Sequence, residues 1–235
     1  MRLRLVPGFT LTARSWEPVE RALPQDWDVQ TIEVPDGLDF DATADAVAHR
    51  GGTGVWIGYS MGARLCLRLT LDNPTFVDAL VLVSGSPGIR EAGAREARVA
   101  ADERRAQELE RDGLELFLER WLDQRLFETL PREKAMLEER RRRNNVPRVA
   151  HQLRALGQGV QEPLWDRLGE VRVPVLLLAG GYDRAYSDVA RQMAAAIGPQ
   201  AAVEIVPQVG HALHLEQPDE VAHRIAAWGS ALGAA

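Results

Sequence analysis

Cysteine is almost absent: Cys66 is the single one in 235 residues, which excludes an internal disulfide and a thiolate-held metal cluster. Its place in a helical, apolar segment makes it a small buried residue rather than a nucleophile. Lysine is equally scarce. Lys134 stands alone among 28 basic residues, in a charged stretch of helical pattern, so imine chemistry on a lysine amine is not expected. No apolar run reaches membrane-spanning length, and Met1 to Val6 enters a strand-like segment directly, without the apolar core of a signal peptide. A soluble, cytoplasmic protein with no membrane partner is the expectation. The formal net charge of −6 argues against a general nucleic-acid binder, while small anionic substrates stay possible where arginines converge.

What is present is length for one large α/β domain with room for an insertion. The chain is organised around Val55-Trp56-Ile57-Gly58-Tyr59-Ser60-Met61-Gly62-Ala63-Arg64. A short apolar run reads as a buried strand, stops at Gly58-x-Ser60-x-Gly62, and gives way at once to a helical pattern through Leu65, Leu67, Leu69 and Leu71. Glycines flank the serine because a strained, closely packed turn leaves no room for a Cβ. Such a pentapeptide also arises by chance in a chain with 20 glycines; its position between strand and helix argues against chance.

Before and after this stretch, strand and helix patterns alternate. Strands are expected at Leu3–Val6, Val29–Val34, Ala79–Val83, Val173–Ala179 and Val203–Val206. Helices are expected from Asp41, as a cap, to His49, over Val189–Ile197 and over Asp219–Leu232. The alternation implies a mostly parallel central sheet with helices on both faces. From about Ile89 to Leu164 strand pattern disappears and leucines and aromatics recur at helical spacing among charges. The organisation expected is therefore a core of residues 1–88 and 165–235 carrying a helical cap, or lid, at 89–164. Within the cap, Arg104, Arg105, Glu108, Glu110 and Arg111 read as a wet face. Glu138-Glu139-Arg140-Arg141-Arg142-Arg143 reads as a solvated helix face with local ion pairs.

A serine hydroxyl is a weak nucleophile until a base takes its proton, and the base needs an orienting carboxylate. His49 and His223 fall in charged helical segments and His151 in the cap. His211 follows the last strand in a glycine-bearing loop, where parallel sheets carry functional groups. His214 lies three residues on, but no third ligand of metal-site spacing accompanies the pair, so no metal is expected. Asp183 follows a strand in a second glycine-bearing loop, where it could equally be a helix cap. Each of Ser60, Asp183 and His211 follows a strand, and their order resembles that of the α/β-hydrolase triad. That resemblance implies an oxyanion hole made by the backbone N–H groups of Met61 and Phe9. Most of the superfamily has His-Gly at Pro7-Gly8; the proline removes a bracing side chain and leaves the Phe9 N–H in place.

Finer motifs resemble the 2-succinyl-6-hydroxy-2,4-cyclohexadiene-1-carboxylate (SHCHC) synthases of menaquinone biosynthesis. They are Gly8-Phe9-Thr10 with Arg14-Ser15-Trp16, Gly58 to Arg64, Ser86-Pro87-Gly88-Ile89, Arg98, Phe117 to Leu122 with Leu126-Phe127, Gly181-Tyr182-Asp183, and Gly210-His211-Ala212-Leu213-His214. The resemblance implies a cofactor-free lyase in which the triad acts as a base and pyruvate leaves an enolpyruvyl cyclohexene carboxylate. It implies Arg64 and Arg98 as binders of a small anionic substrate, with Tyr59 and Trp121 lining the pocket. For Arg64 a surface ion pair is the plainer alternative. A carboxylester or thioester hydrolase with Ser60 as nucleophile is the second functional reading, and a non-catalytic ligand-binding member of the fold is the third. Either a monomer or a homo-oligomer is compatible with the sequence.

Overall fold

The computed structural model describes residues 1–232, so residues 233–235 of the second core segment lie outside the described residues. In chain order the elements are β1 (Arg2–Val6), α1 (Glu17–Ala22), β2 (Asp28–Thr31), α2 (Phe40–Gly51), β3 (Gly54–Tyr59), α3 (Met61–Asp72) and β4 (Val77–Val83). Then come α4 (Ala92–Asp112), α5 (Leu114–Leu122), α6 (Leu137–Arg143) and α7 (Val146–Ala155). The chain closes with β5 (Val175–Gly180), α8 (Arg184–Ile197), β6 (Ala201–Val206), α9 (Leu213–Glu216) and α10 (Pro218–Leu232).

The six strands form one sheet in the order β2-β1-β3-β4-β5-β6, every pair parallel. This is an α/β-hydrolase fold with helices on both faces. β3 and β5 are buried along their whole length, which is why they read as continuous apolar runs instead of alternating ones. One face packs Trp56, Leu80, Leu82 and Leu177 against α2, α3 and α8. The other packs Leu3, Leu5, Ile57 and Val81 with residues of α1 and α10, among them Val19 and Ile225. Strand order reverses between β1 and β3, and in parallel sheets that reversal opens a crevice at the carboxyl ends of the strands.

Several local expectations shift. The second strand stops at Thr31, so Ile32 to Val34 continue as coil, with Ile32 and Val34 buried. The cap of α2 is Asp39, whose side chain accepts from the Ala42 N–H at 2.8 Å, and Asp41 lies in the first turn. α8 starts at Arg184, earlier than the apolar spacing indicated, because Asp183 caps it.

Between β4 and β5 the chain is helical. The ends of this cap meet where the Leu164 N–H donates to the Pro87 carbonyl at 2.7 Å. Inside it α4 packs on α7, around Ala106, Leu109, Leu118, Val149 and Leu153. The arginine run needs a correction: Arg141 and Arg142 pair with glutamates as a solvated face would, but Arg140 is buried. Arg105 is half-buried: it pairs with the buried Asp102 and lines a cavity, while part of its side chain still meets solvent.

Candidate active site

Ser60 stands between β3 and α3 with φ 49° and ψ −105°, a left-handed conformation that a non-glycine residue adopts only where its surroundings enforce it. They do so here through close packing. A Cβ on Gly62 would lie 2.3 Å from the Val6 carbonyl oxygen, and one on Gly58 would lie 2.4 Å from that of Gly62. Gly62 lets the turn press against the end of β1, Gly58 lets the end of β3 press against the first turn of α3, and the serine is thereby held out at the strand edge.

His211 and Asp183 arrive from loops that are joined to each other. The Gly181 N–H donates to Val206 O at 2.8 Å and the Tyr182 N–H to Val209 O at 2.9 Å. A Cβ on Gly180 would lie 2.1 Å from the Gly210 carbonyl oxygen. With the loops so fixed, His211 Nδ1 donates to Asp183 Oδ2 at 2.7 Å, and its Nε2 accepts from Ser60 Oγ at 3.0 Å. Asp183 also accepts from the Tyr186 N–H at 3.4 Å. Cap and orienting carboxylate are thus one residue, not alternatives. His211 is 1% exposed, enclosed by the rings of Tyr186, Tyr59 and Phe127.

Ser60 and His211 open on a cavity of about 120 Å³ beneath the cap, lined also by Phe9 and Met61. Met61 is the first residue of α3, so its N–H lacks an acceptor within the helix. Trp121 packs edge-on to Phe9 at 4.7 Å, and Tyr59 lies under the same loop.

Four arginines line this cavity: Arg64, Arg98, Arg105 and Arg140. Arg64 is buried and, among the described residues, makes no ion pair; it donates to Gln161 Oε1 at 2.8 Å and to Leu156 O at 2.7 Å. Burial lowers its pKa to about 10. Arg98 donates to Asp102 Oδ2 at 2.7 Å and to Gln158 Oε1 at 3.0 Å. Asp102, itself buried, also accepts from Arg105 at 2.9 Å. Arg140 donates to Ala135 O at 2.9 Å, to Phe9 O at 3.2 Å and to the Thr10 hydroxyl; burial lowers its pKa to about 10.

The structure therefore brings together all the residues singled out by sequence: Ser60, Asp183, His211, Phe9, Met61, Tyr59, Arg64, Arg98 and Trp121. It adds Asp102, Arg105, Arg140, Gln158 and Tyr186. Arg140 had no signal that set it apart from the three arginines that follow it. Gln158 and Tyr186 had none, being polar residues in a loop and in the first turn of a helix. Chemically, a hydroxyl–imidazole–carboxylate relay faces a small chamber in which cationic side chains outnumber carboxylates.

Over residues 5–224 the chain matches the alpha/beta hydrolase family. A Bacillus subtilis (strain 168) protein, provisionally designated 2-succinyl-6-hydroxy-2,4-cyclohexadiene-1-carboxylate synthase, is 39% identical over 166 residues. The match covers 69% of this chain and 60% of that protein, so less than two thirds of that relative's length is spanned. The synthase of the same name from Serratia proteamaculans (strain 568) is 28% identical, with 88% of this chain and 80% of that one covered. In three dimensions the chain is similar to MenH from S. aureus, with a TM-score of 0.90, 29% identity, and coverage of 97% and 92% of the two chains.

Proposed function

The chain belongs to the alpha/beta hydrolase family, and from that premise we propose that it is a pyruvate-eliminating lyase of menaquinone biosynthesis, an SHCHC synthase. The observation that carries the reading is the placement of the Ser60–His211 pair in a chamber lined by Arg64, Arg98, Arg105 and Arg140. Relatives named for this reaction support the choice of substrate. An ester hydrolase for neutral acyl groups needs no such concentration of guanidinium groups, whereas a polycarboxylate does.

In this reading His211 draws the proton from Ser60 Oγ, and the oxygen removes a proton from a ring carbon of the enolpyruvyl cyclohexene carboxylate. The bond from ring carbon to enol-ether oxygen breaks, a second ring double bond forms, and the electron pair leaves on the oxygen of the pyruvate enolate, which is then protonated at carbon. The Phe9 and Met61 N–H groups stabilise the negative charge that develops as the proton is removed and the bond breaks. The arginines hold the carboxylates, and Trp121 and Tyr59 bound the ring.

Coupling pyruvate formation to a lactate dehydrogenase assay tests the proposal. Wild-type enzyme releases pyruvate from 2-succinyl-5-enolpyruvyl-6-hydroxy-3-cyclohexene-1-carboxylate, and Ser60→Ala loses about three orders of magnitude in kcat. No release at micromolar enzyme overturns it. Rapid turnover of small acyl esters, with a trapped covalent adduct on Ser60, assigns the chain to the serine hydrolases instead.

A further inference from the structure

Ser84, the residue after β4, has φ 49°, in the left-handed region. Glycine is the residue that takes this conformation without steric cost, yet a serine occupies it. The side chain is 1% exposed and donates through Oγ to the carbonyl oxygen of His211 at 2.8 Å. On the other side of the same residue, the Gly210 N–H donates to Glu216 Oε2 at 2.9 Å, within buried surroundings. Glu216 lies in α9, immediately after the histidine loop, and its own backbone carbonyl accepts from Lys134 Nζ of the cap at 2.8 Å. The peptide unit that follows His211, and the Val209–Gly210 unit one residue before it, are thus each anchored by a buried polar side chain from outside the triad.

We propose that Ser84 and Glu216 are positioning residues that fix the backbone of His211, so that its ring spans Ser60 and Asp183 at hydrogen-bond distance. The Ser84 hydroxyl holds the His211 carbonyl from a backbone conformation that glycine would take with less strain, and the buried Glu216 carboxylate takes the Gly210 N–H. Aligned groups lose rate steeply when displaced by a fraction of an ångström. The inference rests on His211 acting as the base of the proposed reaction, and its geometry can be tested apart from that reaction.

Ser84→Gly relieves the left-handed strain while deleting the hydroxyl, so folding and positioning separate. We expect a melting temperature within a few degrees of wild type, kcat lower by about tenfold and KM unchanged. Proton NMR reads the clamp without any substrate, because the His211 Nδ1 proton held by Asp183 resonates far downfield. It broadens through faster exchange in Ser84→Gly and in Glu216→Ala. Glu216→Gln, whose amide oxygen still accepts from Gly210, restores it. A sharp, unshifted downfield proton in both Ser84→Gly and folded Glu216→Ala overturns the proposal. If wild type releases no pyruvate while the NMR signature changes as expected, the clamp stands and the assigned reaction falls. Should Glu216→Ala fail to fold, the Ser84→Gly signature alone decides.

Discussion

Arg140, carried on α6 of the cap, donates from Nη1 to the carbonyl oxygen of Phe9 at 3.2 Å. The same side chain reaches Thr10, whose φ of 59° makes this loop a left-handed turn. Where most of the superfamily braces the loop from within by His-Gly, this chain has Pro7-Gly8 and braces it from the cap. Arg140 therefore has two parts in the proposed reaction, one toward the substrate carboxylates and one toward the loop that presents the Phe9 N–H.

Removing it leaves the Ala135 and Phe9 carbonyls without that donor and the cavity with three of its four arginines. For Arg140→Ala we predict a loss of about two to three orders of magnitude in kcat/KM, shared between higher KM and lower kcat. Arg140→Lys retains charge but lacks the planar fork needed to hold Ala135, Phe9 and Thr10 together, so its KM recovers more than its kcat. Steady-state pyruvate release checks both; equal recovery of the two parameters would show that Arg140 only binds.

Two glycine substitutions separate packing at the site from helix propensity. At Gly180 an added Cβ meets the Gly210 and Val209 carbonyl oxygens at 2.1 and 2.5 Å, so the loops of Asp183 and His211 must part. Gly180→Ala is predicted to cost about 2–3 kcal/mol by urea unfolding, with activity falling further than stability explains. At Gly93, in the first turn of α4, a Cβ meets nothing within 4 Å. Gly93→Ala should be neutral or stabilising by up to about 0.5 kcal/mol, with full activity.

These contrasts mark what was legible beforehand. Gly58-x-Ser60-x-Gly62, the Asp183 loop and the His211 loop could be read because strain, tight turns and strand ends leave glycine signatures in the chain. The sheet was legible for the same reason that β3 and β5 are unbroken apolar runs: both faces are covered. Arg140 was not, since four consecutive arginines carry no mark of which one turns inward, and that is set by where the cap lies on the core. The buried Asp102 that holds Arg98 and Arg105 was equally hidden, because a carboxylate among arginines reads first as a surface ion pair. Ser84 was invisible in composition, its left-handed backbone being a property of the strand end and not of a serine.

Burial lowers Arg64 and Arg140 to about 10, so each guanidinium gives up its proton earlier than an exposed arginine would. The substrate carboxylates stay ionised throughout. Attraction therefore weakens as pH rises past about 10, and KM for the enolpyruvyl substrate is predicted to climb there while remaining flat between pH 7 and pH 9. Circular dichroism at each pH distinguishes this from unfolding. A KM that stays constant to pH 11 in folded enzyme would mean that both guanidiniums keep their protons despite burial.

His214 offers the corresponding test on the acid side. Its ring is fully buried, 4.0 Å from the Tyr59 ring and 4.9 Å from that of Trp16. Neither ring nitrogen has a protein partner among the described residues. Burial first, then the charges of Arg140 and His211, hold its pKa well below the usual histidine value of 6.5. The unfolded chain thus binds a proton near pH 6.5 that the folded chain refuses. Stability contributed by the neutral ring is fully present above that pH, and it is lost as pH falls toward the depressed value, at about 1.4 kcal/mol per unit. His214→Phe keeps an aromatic ring between Trp16 and Tyr59 and carries no titrating group. It is predicted to flatten the dependence of urea-unfolding free energy on pH between 6.5 and 5 by roughly that slope. An unchanged slope in His214→Phe would mean that the ring is protonated in the folded protein, and that its stacking on Tyr59 is that of a cation.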